Sequence, residues 1–347
     1  MTTMTSAERL GTAMSHKEAD RVPFLLPTIM QGARELGLTI EEYFAKAENV
    51  AEGQMRLLAR YRHDGVFGFM YAAQEIEAFG GTTVFRDDGP ANAGEPPVDW
   101  EDIPTLEPPR VDDCPALVRV LKIIELLASR LGGTVPILGV ALSPYSLPTL
   151  QLGMESYLAL LYERPDLAER LMRVNEEFCV AWSNAQLAAG AGAIAYTDPM
   201  ASPSITPLAM YRRFGHPAAC RTLERLKGAA ATGLASGRAI PIIDDLVRTG
   251  TVGVSASVHE DLAEMKAACR GRLTVMGNLN AIEMRSWTLE QTVSKVREAI
   301  EKGAPGGGFV LTDNHGEIPW QVPEDVLQAV CETVFQFGRY PIRFREE

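Results

Sequence analysis

Short apolar runs alternate with amphipathic helical stretches along the whole chain, and this alternation limits the possible folds more than any other feature. Such alternation is typical of parallel strands joined by crossover helices. Eight strand-helix units predict an α/β fold, a single (β/α)8 TIM barrel over residues 1–347, rather than an open sheet. The runs are residues 21–28, 65–70, 134–142, 193–198, 229–235, 252–257, 272–277 and 308–313.

Two segments depart from this alternation. Residues 82–109 are rich in glycine, proline and acids, which predicts a hairpin and a surface insertion after the second strand. Residues 145–190 contain two helical patterns where one crossover helix would suffice, so an extra helix is expected after the third strand. Helix ends are signalled by Pro115 and Gly132, which begin and end one helix, and by Thr288, which begins a capping box.

The composition excludes several classes of protein. The formal net charge is -12 and the isoelectric point is near 5.1, so a general surface for nucleic acid or anionic membranes is not expected. No apolar run reaches the length of about 20 residues that spans a bilayer. Residues 1–17 contain no apolar signal core, so a cytoplasmic location is expected. The five cysteines form no Cys-x-x-Cys pair, so neither disulfides nor an evident zinc motif is expected.

Polar side chains follow the carboxyl ends of the predicted strands, where barrels of this kind place their reacting groups. His315 is the best acid-base candidate, because an unperturbed imidazole titrates near neutral pH and neighbouring carboxylates can tune it. Glu75 and Glu77 would not share a helix face, so at most one is expected to act. Asp198 precedes a proline, and a simple turn or helix cap explains it as well as a functional role does. The further candidates are Tyr71, Tyr145, Tyr196, Ser236, Asn278, Asp313, Asn314 and Glu317.

Several motifs are similar to those of a known group of barrel enzymes. They are Glu75-Ile76-Glu77-Ala78-Phe79-Gly80, Ser143-Pro144-Tyr145-Ser146-Leu147, Asp198-Pro199-Met200-Ala201-Ser202-Pro203, Met276-Gly277-Asn278 and Glu317-Ile318-Pro319. Through them the chain resembles the uroporphyrinogen decarboxylase superfamily over nearly its whole length, and most of all its cobalamin (corrinoid)-dependent methyltransferases. The resemblance implies a small methylated or methoxylated substrate and a corrinoid on a partner protein, since the chain has no obvious room for a corrinoid-binding domain.

The chain departs from those methyltransferases at their zinc ligands. The family places His-x-Cys-Gly after the fifth strand and a further cysteine before Glu-Ile-Pro, whereas this chain has Leu234, Ser236 and Gly316 there. Serine and glycine cannot replace thiolates as soft ligands, so the usual zinc site is not expected. A different site with oxygen and nitrogen ligands stays open, although no spacing requires it. Its ligands would be Glu75, Asp198, Asp313 and His315.

The chain also departs from the decarboxylases of the superfamily. Those enzymes bind substrate carboxylates through two arginines of the first strand, and an aspartate after the second strand meets the pyrrole nitrogens. Here only Arg34 remains in the first-strand region, and Tyr71 takes the position of the aspartate. Binding of a four-acetate tetrapyrrole is therefore not expected, although Asn314-His315-Gly316 is similar to the Gly-His-Gly of the decarboxylases.

The leading hypothesis is an enzyme that transfers a methyl group between a small substrate and a cobalamin carried by a partner protein. His315 would protonate or polarise the departing oxygen with Asp313 or Glu317 orienting it, and Asp198 and Glu75 would bind or orient the substrate. One alternative is a lyase in which His315 or Asp198 protonates the carbanion formed from a non-porphyrin acid. The other is a degenerate barrel that binds a ligand without catalysis.

Overall fold

The computed structural model describes residues 3–68, 71, 73–269 and 271–342. The strands are β1 (Val66–Phe67), β2 (Thr83–Val84), β3 (Asn92–Ala93), β4 (Ile137–Leu142), β5 (Ala193–Thr197), β6 (Ala230–Gly233), β7 (Gly253–Ser255), β8 (Thr274–Leu279) and β9 (Phe309–Asp313). The helices are α1 (Ser6–Met14), α2 (Gly32–Leu36), α3 (Ile40–Ala45), α4 (Ala47–Tyr61), α5 (Gln74–Glu77), α6 (Pro115–Leu131), α7 (Pro148–Gln151), α8 (Met154–Glu163), α9 (Pro165–Ala189), α10 (Leu208–Met210), α11 (His216–Glu224), α12 (Ile243–Arg248), α13 (Leu262–Cys269), α14 (Leu289–Gly303) and α15 (Glu324–Phe337).

Seven of these strands form one parallel sheet in the order β1-β4-β5-β6-β7-β8-β9. Each strand of the sheet falls within or overlaps one of the predicted apolar runs, and the helices between them serve as crossovers. The prediction of an α/β fold with a parallel sheet is confirmed. Residues 69–70 of the predicted second strand and residues 1–2 and 343–347 of the predicted domain lie outside the described residues.

The predicted first strand, residues 21–28, is not a regular strand. Phe24 forms an isolated parallel bridge with Leu311 of β9, and its carbonyl accepts a hydrogen bond from the backbone N–H of Asp64 at 2.8 Å, just before β1. The segment therefore lies between the two edges of the sheet, which curls. Pro23 and Pro27 explain why no longer ladder forms, because a proline has no N–H to donate.

The two expected departures from the alternation are both present. The insertion after β1 contains the antiparallel pair β2 and β3, with Thr83 opposite Ala93. Between β4 and β5 the chain forms α7, α8 and the long α9 rather than a single crossover helix. The predicted helix signals also hold, since Pro115 begins α6, Gly132 ends it in the left-handed conformation, and Thr288 forms a capping box with Gln291.

A buried ion cluster fixes the N-terminal segment against the sheet. The carboxylate of Asp64 is fully buried and accepts hydrogen bonds from Arg9 at 2.7 Å and from Arg21 at 2.7 Å. The hydroxyl of Ser6 donates to the same carboxylate at 2.9 Å, and the backbone N–H of Phe24 donates at 2.9 Å. This set of partners compensates the cost of removing the charges from water, which is otherwise several kcal/mol per ion.

The apolar core has two large clusters and one small one. The large clusters pack the helices against the outer face of the sheet. The small cluster contains Leu10 and Ala13 of α1 with Leu25 and Val310, and Met276 packs against it. Helix α1 thus lies against side chains that point into the curled sheet. Across the described residues, no helix combines the length and apolar character needed to cross a membrane.

Candidate active site

A cavity of about 1020 Å³ opens along the concave face of the curled sheet and continues to the amino ends of the strands, where residues of α1 and α6 also line it. Along β4 the side chains alternate between buried and half-exposed, and the half-exposed ones line this cavity. In an ordinary barrel of this kind, layers of bulky branched side chains fill the interior. Here small residues occupy many inward positions of three consecutive strands, which leaves the space open. They are Ala193, Ala195, Ala231, Gly233 and Ser255.

Polar side chains gather at one end of this cavity, beyond the carboxyl ends of the strands. We call this the polar end and define it by five residues that line the cavity there. They are Glu75, Asp313, Asn314, His315 and Glu317. Glu75 is supplied by α5, and the other four belong to the end of β9 and the turn that follows it. The cluster expected after the last predicted strand therefore faces a cavity large enough for a ligand.

The turn after β9 is organised by Asp313. Its Oδ2 accepts hydrogen bonds from the backbone N–H of His315 at 2.7 Å and of Gly316 at 2.8 Å. Gly316 has φ of 93°, in the left-handed region that glycine adopts without steric cost. The other carboxylate oxygen, Oδ1, is buried and has no hydrogen-bond partner among the described residues, and the same is true of Oδ1 of Asn314.

The imidazole of His315 is held by Ser236, which follows β6. The Oγ of Ser236 lies 2.7 Å from Nδ1 of His315 and accepts a hydrogen bond from Nδ2 of Asn314 at 2.9 Å. The hydroxyl of Ser236 also lies 3.4 Å from the carbonyl of Asn314, to which it can donate, so its contact with His315 is compatible with either tautomer of the imidazole. Ala235 and Ser236 both have positive φ, and the backbone N–H of Ser236 donates to the carbonyl of Asn314 at 2.8 Å.

Burial sets the charge states at the polar end. It raises the pKa of Glu75 to about 8, although its carboxyl accepts hydrogen bonds from the backbone N–H of Leu142 at 3.1 Å and from Nε1 of Trp182 at 3.2 Å. Burial, and then the nearby carboxylate of Asp313, raises the pKa of Glu317 to about 7. Burial also raises the pKa of Asp313 to about 6, although the backbone hydrogen bonds that its carboxylate accepts act to lower this pKa.

The histidine shifts in the opposite direction. Burial lowers the pKa of His315 below its usual value, because desolvation disfavours the imidazolium form. At neutral pH the polar end therefore combines a neutral imidazole with Glu75, which stays protonated, and Glu317, which titrates in this range. None of the described residues that line the cavity is an arginine or a lysine.

Asp198 lies outside the cavity lining. It is buried, and its Oδ1 accepts hydrogen bonds from the hydroxyls of Ser143 at 2.6 Å and Ser146 at 2.7 Å. Burial raises its pKa to about 6. The backbone N–H of Met200 in turn donates to the hydroxyl of Ser146 at 3.2 Å, so Asp198 joins the loops that follow β4 and β5. This resembles the turn or cap that its position before a proline allows.

The remaining candidates also lie away from the cavity lining. The hydroxyl of Tyr71 donates to the carboxylate of Glu77 at 2.8 Å, beside the insertion. Tyr145 is fully buried, and Tyr196 is buried on the outward face of β5. The side-chain amide of Asn278 donates to the carbonyls of residues 257 and 260. Of the predicted residues, the structure thus brings together Glu75, Ser236 and the four that follow β9.

Two contacts of the site were not expected from the sequence. Trp182 of α9 donates to Glu75 over a separation of 107 residues, and no local pattern indicates this contact. Ser146 was part of a motif but not a candidate; its position three residues after Ser143 was the signal that both hydroxyls bind one acceptor.

The residues present do not fit a zinc ion. In the described parts of the chain, no group of three His, Cys, Asp or Glu side chains is arranged to hold a metal. The side chain of Leu234 is buried in the apolar core, and the hydroxyl of Ser236 contacts His315. All five cysteines are free, and none lines the cavity. No step of the chemistry is therefore assigned to zinc.

Comparison with known proteins places this chain in a family. The family model for uroporphyrinogen decarboxylase (URO-D) matches residues 5–337. The chain belongs to the URO-D family. Among its relatives is the methylcobamide:CoM methyltransferase MtaA of Methanosarcina barkeri, which is 25% identical over 213 residues. That alignment covers 61% of this chain and only 62% of the relative.

Other URO-D family members align over nearly the full length. The uroporphyrinogen decarboxylase of Alkalilimnicola ehrlichii is 26% identical over 361 residues, which covers 95% of this chain and 94% of the relative. Among solved structures, a methyltransferase from Methanosarcina mazei superposes with a TM-score of 0.82 at 20% identity, over 96% of this chain and 99% of that chain. The structural likeness shows that the fold is shared. Enzymes of the URO-D family thus include methyltransferases and decarboxylases.

Proposed function

We propose that this chain is a methyltransferase that transfers a methyl group between a small substrate and a cobalamin carried by a separate protein. The observation that supports this proposal is the lining of the cavity. The carboxyls of Glu75 and Glu317 have raised pKa values, the imidazole of His315 is neutral, and none of the described lining residues is a lysine or an arginine. A polyacid substrate of a decarboxylase needs cations to bind its carboxylates. An oxygen that leaves a methyl group needs a proton donor instead. Relatives such as MtaA agree with the methyl-transfer reaction.

In the demethylation direction, the bond between the methyl carbon and the substrate oxygen breaks, and the oxygen gains a proton. The corrinoid supplies the cobalt that accepts the methyl group. The carboxyl of Glu317 donates the proton to the departing oxygen, and Glu75 keeps a second proton at the cavity wall. His315, whose imidazole is held by the hydroxyl of Ser236, forms a hydrogen bond with the same oxygen. In the opposite direction these groups accept the proton, and much of the rate comes from positioning.

The polar end is accessible from outside the molecule. Gly316 is exposed and His315 is half-exposed, which fits a corrinoid presented by a partner protein. We also propose that residues 23–25 take the place of the first strand, so that the curled sheet works as a (β/α)8 barrel with its reacting groups at the carboxyl ends. The partner reaches the substrate from that side.

The proposal is tested by incubating the protein with cob(I)alamin and a panel of methyl ethers, and with methylcobalamin and candidate acceptors, while the cobalamin absorbance is recorded. We expect at least one substrate to change the cobalt state. His315→Ala should slow that change by a factor of about 10²–10³, the usual effect of removing one hydrogen bond to an oxygen on which charge develops. Glu77→Gln is the matched control, because Glu77 lies outside the cavity lining.

Two results together would contradict the proposal. One is that no substrate or acceptor changes the cobalt state. The other is that His315→Ala equals the parent protein in every assay.

A further inference from the structure

The cavity continues well beyond the polar end. Its walls below that end are side chains of the sheet, and we call this part the apolar channel. The channel is lined by Leu138, Val140, Ala195, Ala231, Gly233 and Met276. From Leu142 to Leu138 a strand covers about 13 Å at the usual rise per residue, so the channel is deep compared with a methyl group. A methyl donor such as methanol would leave most of it empty.

An apolar cavity alone does not identify a ligand. At the polar end, however, two buried polar atoms have no hydrogen-bond partner among the described residues. Asp313 is 3% exposed and Asn314 is 2% exposed, and Oδ1 of each accepts no hydrogen bond from the described residues. A buried acceptor without a partner costs about 1–3 kcal/mol. A ligand group that donates hydrogen bonds would satisfy both atoms. The same acceptors would repel a carboxylate, and no lysine or arginine among the described residues lines the cavity to offset this.

We propose that this cavity binds an elongated, uncharged molecule whose hydrogen-bond-donating head lies at Asp313 and Asn314 and whose apolar body fills the channel. The volume of about 1020 Å³ is at the upper end of the range for sites that bury most of a drug-sized ligand. This inference rests on the proposed function only in identifying the ligand as the demethylated product, whose hydroxyl lies beside His315 where the departing oxygen was. The binding itself does not require methyl transfer.

Gly233 is the position from which the channel can be filled. It lies on β6 among the lining residues, a Cβ built there meets no atom within 4 Å, and its φ is not in the left-handed region. A valine at this position would have its Cβ in open space and would place its two methyl groups in the channel. Gly89 matches it as a control, because a Cβ there also meets no atom within 4 Å and Gly89 lies outside the cavity lining.

The test measures binding by isothermal titration calorimetry, without cobalamin, for 4-methylphenol, 4-propylphenol and 4-hexylphenol at pH 8. We expect the affinity to rise about two- to fourfold for each added methylene, since each buries apolar surface in the channel. Gly233→Val should weaken binding of 4-hexylphenol at least tenfold and affect 4-methylphenol little. Gly89→Val should leave all three unchanged. The anion of 4-hexylbenzoic acid should bind more weakly than 4-hexylphenol.

An affinity that does not depend on chain length would overturn the proposal, and so would equal binding of 4-hexylphenol by the parent and by folded Gly233→Val. If that variant does not fold, as judged by circular dichroism, Ala231→Leu on the same strand gives the same test. The methyl ethers of these phenols, tested with cob(I)alamin, separate the two proposals. Binding that depends on alkyl chain length, without methyl transfer, would refute the proposed function and would still support the proposed class of ligand.

Discussion

Replacement of Glu75 with glutamine tests whether the polar end holds a protonated carboxyl at neutral pH. Glu75 is 2% exposed, and its carboxyl oxygens receive hydrogen bonds from the N–H of Leu142 and from the indole of Trp182. Burial nevertheless dominates and raises the pKa from 4.5 to about 8. Glutamine has nearly the same shape and no charge, so it mimics the protonated form at every pH.

The size of the effect follows from linkage between proton binding and folding. The folded protein holds this proton more tightly than the unfolded chain, so the stabilising contribution is complete below pH 4.5 and is lost as pH rises toward 8. A rise of the pKa from 4.5 to about 8 corresponds to about 5 kcal/mol. Between pH 5 and pH 8, the free energy of unfolding of the parent should fall by about 3–4 kcal/mol relative to Glu75→Gln.

Urea unfolding followed by circular dichroism at pH 5, 6, 7 and 8 measures this difference. Other buried acids, such as Asp198 and Glu317, are present in both proteins, so their contributions cancel in the comparison. Glu125→Gln, on the exposed face of α6, is the control for loss of a negative charge. If the difference between Glu75→Gln and the parent changes by less than about 1 kcal/mol over this range, Glu75 is ionised at neutral pH and the assigned proton inventory is wrong.

Three further predictions concern other parts of the molecule. Asp64→Asn should lower the free energy of unfolding by about 3–5 kcal/mol in urea titrations, because Arg21 loses the carboxylate with which it pairs, while Arg9 retains that of Asp20; the exposed Asp113→Asn should cost less than about 1 kcal/mol. In the Ser236→Ala variant, the nitrogen chemical shift of Nδ1 of His315 should change, because this atom loses its hydrogen bond with Ser236. An unchanged shift would refute the assigned contact. In the demethylation direction, the methyl-transfer rate should fall as pH rises through about 7, where the carboxyl of Glu317 loses its proton, and Glu317→Gln should remove that inflection. A rate that rises over this range would contradict the assigned donor.

Local sequence patterns were enough to locate most of the regular structure. Proline at the start and glycine after the end of α6, and the capping box at Thr288, act within a single turn of backbone, so neighbouring residues decide them. The pattern failed at residues 21–28, where the apolar content predicted a strand. There Pro23 and Pro27 limit the ladder to the bridge at Phe24, because hydrogen-bond donors rather than apolar content determine how far pairing extends.

Part of the candidate site could likewise be predicted from local sequence, and part could not. The turn after β9 could be predicted, because Asp313, His315 and Gly316 interact within four residues of chain. The placement of Asp198 could not be predicted, because its serine partners lie 55 and 52 residues away in the sequence. These serines direct its carboxylate to the loops rather than to the cavity. Contacts that are distant in sequence also decide where Glu75 and Glu77 lie. Packing against Trp182 buries Glu75 at the cavity, whereas the hydroxyl of Tyr71 binds Glu77 away from it.

The sequence by itself determined the order of strands and helices, the family resemblance, the loss of the usual zinc ligands and the polar turn after the last strand. These depend on periodicity, on residue identity and on contacts within one turn of chain. Only the tertiary structure decided that the interior is open, that the pKa values of Glu75 and Glu317 are raised, and that the described part of the cavity lining contains no lysine or arginine. The physical reason is that cavity volume and desolvation are sums over side chains from many strands, and no single segment of the sequence contains them.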